Sequence, residues 1–536
     1  MRRRTPQPRT VPPRTPPFDR EAVMTAHKDT FYVTTPIYYP NDDPHIGHAY
    51  TTVAADVLAR WRRLNGDRVF FLTGTDEHGQ KIAQTAAEQG TTPQAFVDGI
   101  NPRWHEMNKL LRISNDDFIR TTEPRHTKRV QEFMQRLYDL GDLYTDTYAG
   151  PYCVRCEAYY TVEELVGDDL CPIHLRPVER LEQENWFFRL SRYGDRLLAL
   201  YDEHPEFVRP AARLNEVRSF VASGLADISA SRSAFDWGVP VPWEPGHVFY
   251  VWFDALLNYI TAAGYGDSDE FDRRWPADVH LIGKDILRFH AVYWPAMLMA
   301  AGVEVPRQVY AHGFLLVGGE KMGKSNATGI APSQLVDHFG RDCYRYYFLR
   351  EISFGQDGTF SWESMTDRYT ADLANDLGNL VNRVLNMVGS YCDGAVPEPT
   401  GASGDPERRL ADDLAVATDG LRAFDRLNFK AGLQALWTFV SGVNRYVEAR
   451  APWAQRKAGD IDGLHTTLYT CVDALRIIAV LILPVMPDAA EALWSRLGID
   501  ADLDDQRFPD AAAQGAMPVG AATTRGDLLF PRLEDA

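Results

Sequence analysis

Short β-branched and aromatic runs alternate with stretches of helical period near the start of the chain. Phe31-Tyr-Val-Thr-Thr35 is a strand by propensity. It runs into Pro36–Pro44, where Pro36, Pro40, Asn41 and Pro44 predict a loop. From His45 a helix is expected, with Ala54, Val57, Leu58 and Trp61 on one face. Val69–Leu72 is a second buried strand, leading into Gly74-Thr-Asp-Glu-His-Gly79. Strand, loop, helix and strand on this scale make a βαβ unit of a parallel sheet. The runs Val248–Phe253, Val279–Ile282 and Val309–His312 alternate with helical stretches and predict later strands of the same sheet.

Between those halves lies a region rich in charge and aromatics, about 141–235, which reads as an inserted domain. From 368 onward the period is helical: Leu373, Leu377, Leu380, Val384, Leu385 and Val388 recur at i, i+3 and i+4. Further helical stretches at 410–425, 430–449 and 464–497 predict a bundle, and the Gly- and Pro-rich 394–406 a connecting loop. The division expected is 1–29 disordered, 30–140 and 236–330 the two halves of the sheet domain, 141–235 the insertion, 331–367 a linking region and 368–536 the bundle. Residues 1–23 hold six arginines and six prolines with almost no apolar side chains, so they have little to offset their ordering entropy.

Composition narrows the class. With 536 residues, 45% apolar and 24% charged, the chain matches ordinary globular proteins large enough for several domains. The net charge of −18 argues against a protein coating DNA or RNA with uniform positive field. A local basic groove still acts within a Debye length, about 8 Å. The most apolar run, Ile477–Val485, is too short to span a bilayer, so no membrane association is expected. There are six cysteines, and Cys153, Cys156 and Cys171 cluster, which reads as metal binding in a reducing compartment rather than a disulfide scaffold.

Three motifs carry chemistry. His45-Ile-Gly-His48 opens a helix, with both imidazoles on one face of a first turn that already favours anions. Gly47 lets a flat base approach the backbone. Alone, the motif equally fits a surface turn. Lys321-Met-Gly-Lys-Ser325 follows a Gly-rich stretch, and its lysines can wrap a polyphosphate. Alone, such a pair of lysines is more commonly a solvated basic loop. Cys153-x2-Cys156 and Cys171-x2-His174 have the spacing of a tetrahedral structural zinc site, one Zn²⁺ per chain.

The first two motifs, in this order, flanking a split parallel sheet and accompanied by Gly283-Lys-Asp285, resemble the signature of class I aminoacyl-tRNA synthetases. Thr35–Tyr39, Gly74–Gly79, Tyr250–Ala255, His280–His290 and Ala451-Pro-Trp453 resemble the methionyl family, over about residues 30–500. The resemblance implies an α/β Rossmann-like catalytic domain, an inserted zinc-knuckle domain and an all-α anticodon-binding bundle. It implies a ligase joining L-methionine to tRNA(Met), with ATP and Mg²⁺. His45, His48, Lys321 and Lys324 are then catalytic. Gly47, Gly283, Asp285, Met322 and Ser325 join them around ATP. Methionine falls to Ile37, Tyr39, Asp76, Trp252, Ala255, Leu256, Tyr259, Ile286, His290 and Trp294, and the anticodon to Asn379, Arg383 and Trp453. A thioether is polarizable and only a weak acceptor, so aromatic faces, the Ile37 N–H and the Tyr259 hydroxyl suit it. The Asp76 carboxylate suits the substrate ammonium. The family's phosphate loop reads Lys-Met-Ser-Lys-Ser; here Gly323 replaces the first serine.

Rival readings make distinct demands. The branched-aliphatic synthetases carry a large editing insertion, for which 141–235 leaves no room. The cysteinyl enzyme places zinc in the substrate pocket, whereas the four ligands here sit together in the insertion. An adenylyl-transfer enzyme without RNA has no use for the helical C-terminal region, and a catalytically dead RNA-binding paralogue none for intact His45, His48, Lys321 and Lys324. A cytoplasmic monomer is expected, because little chain follows the bundle.

Overall fold

The computed structural model describes residues 28–153, 158–160, 162–167, 169–172, 175–266, 269–317, 320–321, 330–400 and 404–533. Six parallel strands form the central sheet: β1 Thr30–Tyr38, β2 Arg68–Thr75, β3 Asp117–Arg120, β4 Val208–Arg209, β5 Val279–Gly283 and β6 Val309–His312, in the order β3-β2-β1-β5-β6-β4. The chain steps outward from β1 to β2 and β3, then returns to pair β5 on the other side of β1. The order reverses there, and in open parallel sheets that reversal opens a ligand crevice at the carboxyl ends of the strands.

β1 extends beyond its predicted run. It continues through Pro36 to Tyr38, with its register against β2 shifting between Thr34 and Ile37. Pro36 has no N–H to give a ladder and sits where the ladder is broken, so a strand with an irregularity accommodates it. At Gly74 a Cβ would stand 2.0 Å from the Ile119 carbonyl, so the close approach of β2 to β3 requires glycine. The expected strand Val248–Phe253 is a correction. Val248–Phe249 pairs antiparallel with Ser231–Arg232 in a separate ribbon, and Val251–Ala255 is a helix. A short buried apolar run has no period that separates strand from helix.

The expected insertion at 141–235 is not one body. Leu143–Cys153, Ala158–Tyr159, Glu179–Phe188 and Ile228–Ser229 make an antiparallel sheet. The segment between the last two packs Leu197, Tyr201, Phe207, Val217 and Val221 into the hydrophobic core on one face of the central sheet and lends β4 to that sheet. Lys28 and Asp29, expected to lie in a disordered extension, are among the described residues. Lys28 is buried against the Asp278 carboxylate and the Pro276 carbonyl. Residues 1–27 lie outside the described ones.

One face of the sheet shares its hydrophobic core with the helical region: α1 Ile46–Leu64, the helix Arg341–Glu351 and the bundle bury a single cluster. The bundle comprises Asn379–Tyr391, Asp405–Leu421, Phe429–Arg450, Pro452–Ala458, Ile461–Ile482 and Pro487–Trp494. By length and composition Ile461–Ile482 could cross a bilayer, but 89% of its apolar window is buried in the protein, the pattern of a core helix. Pro484 and Pro487 split the expected helix at 464–497. Beyond Trp494 the described residues hold 3₁₀ turns and extended chain returning to the bundle, where the Tyr369 hydroxyl donates to the Pro531 carbonyl.

Candidate functional site

The crevice between β1 and β5 gathers two predicted groups of residues. His45 is the N-cap of α1. Its Nδ1 accepts the Gly47 N–H at 3.1 Å, and His48 Nδ1 accepts the His45 N–H at 3.2 Å. The rings stack 3.8 Å apart at 18°. A ring nitrogen that accepts a backbone N–H carries no proton, so each neutral imidazole holds its hydrogen on Nε2. The chain thus caps its own helix with two histidines and keeps a donor on the far edge of each ring.

At the other end, apolar and aromatic residues form a buried floor and a half-buried rim. Ala255, Leu256, Tyr259, His290 and Trp294 are buried, while Ile37, Tyr39, Trp252 and Ile286 are partly exposed. Trp252 stacks on Phe289 at 3.8 Å and 8°. Hydrogen bonds fix the tautomers beneath. His290 Nδ1 lies 3.1 Å from the Ile286 carbonyl, which can only accept, so Nδ1 carries the proton. His290 Nε2 must then accept, and the Tyr259 hydroxyl donates to it at 2.8 Å. This corrects the expectation for Tyr259: its proton is committed to His290 rather than offered to a thioether. Burial pushes the His290 imidazole down to about 4, against the opposing effect of the Ile286 carbonyl, so the ring is neutral. His280, on β5, follows the same logic. The Trp294 indole N–H donates to its Nε2 at 3.3 Å, so its Nδ1 donates to the Thr34 hydroxyl at 2.8 Å.

Asp76 follows β2 directly, and its N–H donates to the Tyr38 carbonyl at 2.8 Å. The next residue anchors the loop. Glu77 is fully buried and accepts from the Arg120 guanidinium at 2.7 Å and the Thr75 hydroxyl at 2.8 Å. The Tyr39 hydroxyl donates to the His78 carbonyl, and the Trp237 indole to the Glu77 carbonyl, each at 2.7 Å. The sequence reading did not assign His78, His126, Asp254 and His280. His78 Nδ1 lies 2.6 Å from one Asp254 oxygen and His126 Nε2 2.7 Å from the other. His78, Asp254 and His280 lie within quoted motifs; His126 had no motif to mark it.

At Gly283 a Cβ would meet the Asp285 carboxylate at 2.6 Å, so that side chain folds back over the end of β5. The Lys284 ammonium pairs with Asp357 at 2.7 Å. The backbone of Lys321 lies in a short strand, Glu320–Lys321; its side chain and Met322, Gly323, Lys324 and Ser325 lie outside the described residues. Cys153 and Cys171 are buried, while Cys156 and His174 lie outside the described residues. Among the described residues no group of three potential metal ligands gathers. In the bundle Asn379 is exposed and Trp453 is 43% exposed. Arg383 donates to Asn444 at 3.2 Å and pairs with Glu448.

Comparisons with known proteins agree with this architecture. A family described as tRNA synthetases class I (M) matches residues 31–177 and 164–385, and an anticodon binding domain of methionyl tRNA ligase matches 396–536. A methionine–tRNA ligase of Streptomyces coelicolor is 54% identical, over 94% of this chain and 97% of its own length. One from Caldanaerobacter subterraneus is 47% identical, over 95% of this chain and 79% of its own. Mycobacterium tuberculosis methionyl-tRNA synthetase in complex with methionyl-adenylate superposes with a TM-score of 0.90 at 45% identity, covering 94% of this chain and 100% of that one. Its free form gives 0.84 at 42% identity, covering 95% and 99%.

Proposed function

The chain belongs to the methionyl-tRNA synthetase family of class I, and on that premise we propose that it activates L-methionine with ATP and transfers it to the 3′-terminal adenosine of tRNA(Met). The observation that carries this reading is the crevice at the reversal of strand order. It has histidine donors at the start of α1 on one side and a neutral, aromatic, tautomer-locked pocket on the other.

In the first step a methionine carboxylate oxygen attacks the α-phosphorus of ATP, and the bond to the bridging oxygen breaks to release pyrophosphate. Such transfer needs positioning and charge neutralisation more than covalent help. His45 and His48 supply neutral Nε2–H donors to the phosphates, next to the positive end of α1. Lys321 and Lys324 clamp the outer phosphates, with Gly47, Gly283, Asp285, Met322 and Ser325 around the nucleotide. Mg²⁺ bound with ATP would supply further neutralisation of the phosphate charge. The Asp76 carboxylate takes the substrate ammonium, and the Ile37–Trp294 pocket takes the side chain. Because Tyr259 donates to His290, the tyrosine oxygen facing the ligand is an acceptor, and the thioether is held by aromatic packing. In the second step a terminal ribose hydroxyl of tRNA attacks the adenylate carbonyl and AMP leaves.

Zinc fits the insertion. Three thiols and an imidazole are a tetrahedral zinc donor set, and the described pair, Cys153 and Cys171, is 3% and 0% exposed, as a closed structural site requires. Cys153, Cys156, Cys171 and His174 would hold it and brace the end of the hairpin. Asn379, Arg383 and Trp453 read the anticodon. The chain acts as a cytoplasmic monomer. The test is ATP–pyrophosphate exchange across a panel of amino acids, followed by aminoacylation of tRNA(Met). Exchange with methionine alone and methionylation of that tRNA are expected. Equal exchange with leucine or isoleucine, or none with methionine, overturns the reading.

A further inference from the structure

Asp254 has 0% exposure, and each of its oxygens faces an imidazole nitrogen. A buried carboxylate is costly unless paired and hydrogen-bonded. Its burial works against ionisation, yet His78 and His126 outweigh that and hold the carboxyl down to about 2. Because Asp254 is ionised, both facing nitrogens carry the hydrogens: Nδ1 on His78 and Nε2 on His126. The Thr261 hydroxyl lies 3.3 Å from His126 Nδ1.

The four residues come from separate pieces of the chain. His78 is on the loop that carries Asp76. Asp254 is on the five-residue helix Val251–Ala255, which carries Trp252 and Ala255. Thr261 is on the helix Asn258–Ala263, which carries Tyr259, and His126 is on the helix Pro124–Asp139 behind them. Helices of five and six residues have little stability of their own, so tertiary contacts must set their orientation. Glu77, Tyr39 and Trp237 tie the Asp76 loop to β1, β3 and the ribbon side of the fold. The His78–Asp254 bond ties that loop to the Trp252 helix.

We propose that Asp254 is a positioning residue for methionine: through His78 and His126 it fixes the distance between the carboxylate that takes the ammonium and the pocket that takes the side chain. The proposal rests on the methionine reading above. It makes no demand on the nucleotide side, because none of the four residues belongs to the His45–His48 turn or the lysine loop.

The two histidines use different ring nitrogens, which gives a test that loss of bulk cannot mimic. An asparagine amide nitrogen can stand where a histidine Nδ1 stands, and a glutamine amide nitrogen where Nε2 stands. His78→Asn and His126→Gln should therefore keep KM for methionine within about twofold of wild type. His78→Gln and His126→Asn should raise it by about tenfold, the scale of one lost charge-assisted hydrogen bond. KM for ATP should stay flat across all four, with melting temperatures recorded alongside. Equal effects of both amides at either position overturn the clamp, as does a rise in KM for ATP in step with that for methionine. Should an amide variant fail to fold, Asp254→Asn is the second probe, and an unchanged KM for methionine there overturns the proposal. Failure of the wild type to exchange with methionine removes the functional reading instead, so the two failures are distinguishable.

Discussion

Arg345 and Asp56 form an ion pair with no exposure on either side chain, Nη2 to Oδ2 at 2.6 Å. Asp56 is on α1, about two turns beyond the His45–His48 turn, and Arg345 is on the helix Arg341–Glu351. The guanidinium also donates to the carbonyls of Val485 at 2.7 Å, and of Leu111 and Pro484 at 3.0 Å. One planar fork thus joins the catalytic domain to the loop between two bundle helices.

Removing the arginine should leave the Asp56 carboxylate buried with only Arg60 and Ser114 to compensate. Arg345→Ala is expected to lose about 3 kcal/mol or more in urea unfolding, the scale for breaking a buried pair. Burial alone would raise the Asp56 carboxyl, but Arg60, Arg345 and Ser114 outweigh it and hold it at about 2. Its folded value is depressed, so its contribution is present above the ordinary 3.8 and lost as pH falls through about 2. The variant should show a shallower loss of stability over that window.

Asp342 behaves oppositely. Burial pushes its carboxyl up to about 6, against the opposing Ala489 and Asp488 N–H groups, of which Ala489 donates to one oxygen at 2.6 Å; among the described residues the other oxygen has no hydrogen-bond partner. Its folded value is raised, so the associated stability is full below 3.8 and lost as pH rises through about 6. Asp342→Asn keeps the Ala489 bond and removes the charge. The shift corresponds to about 3 kcal/mol, offset by about 1 kcal/mol for an unpartnered amide. The variant should be more stable than wild type by about 1–2 kcal/mol at pH 8, and the advantage should vanish at pH 4. An advantage independent of pH would mean that the charge is not its source.

The sheet was legible where propensity and period agree. β1, β2, β5 and β6 each contain a predicted run, and His45 was identified as the residue from which α1 starts. β4 was not, because two residues at a sheet edge carry no period. The helix at Trp252 was misread because a short buried run looks alike in either state. The pocket residues came from motif resemblance, and their hydrogen-bonding roles did not. His78 and His126 stand 176 and 128 residues from Asp254, a pairing that no local pattern encodes. The direction of the Tyr259 proton needed the Ile286 carbonyl, which no side-chain motif reveals.

The stacked histidines make two contributions that can be separated. Asparagine is a strong N-cap, so His45→Asn should keep the melting temperature of wild type while losing the Nε2–H. His45→Ala should lose the cap as well, about 1 kcal/mol. Both should reduce methionine-dependent exchange by about 10²–10³, the cost of one donor to developing charge. A large loss of activity in the alanine variant alone would assign His45 to helix capping and not to phosphate.

Metal analysis checks the insertion. Protein purified without chelator should carry about one zinc per chain, and Cys156→Ser should lose it. Because the hairpin Leu143–Cys153 with Glu179–Phe188 runs back toward the core, stripping zinc should lower the melting temperature before it touches KM for methionine. A metal-free preparation with full activity and stability would show that these cysteines have another use.

Trp453 separates the two ends of the molecule. It lies in the helix Pro452–Ala458, and Ala451 before it takes a left-handed backbone, φ 45°, that turns the chain sharply out of the preceding helix. At 43% exposure the indole is not a core side chain, unlike the other bundle tryptophans Trp437 and Trp494 at 6% and 7%. Stacking on one unpaired base contributes about 1–3 kcal/mol. Trp453→Ala should therefore reduce aminoacylation efficiency by at least about tenfold, since each 1.4 kcal/mol is a factor of ten. Methionine-dependent exchange should not change, because the adenylation site proposed above lies at the crevice of the parallel sheet and not in the bundle. The exposed ring predicts a melting temperature close to wild type. A parallel fall of exchange, aminoacylation and melting temperature would make Trp453 a packing residue after all. If none of the three moves, the anticodon is read elsewhere on the bundle. Arg383 is then the residue to examine, because its guanidinium is held by Asn444 and Glu448 and must leave them to meet a base.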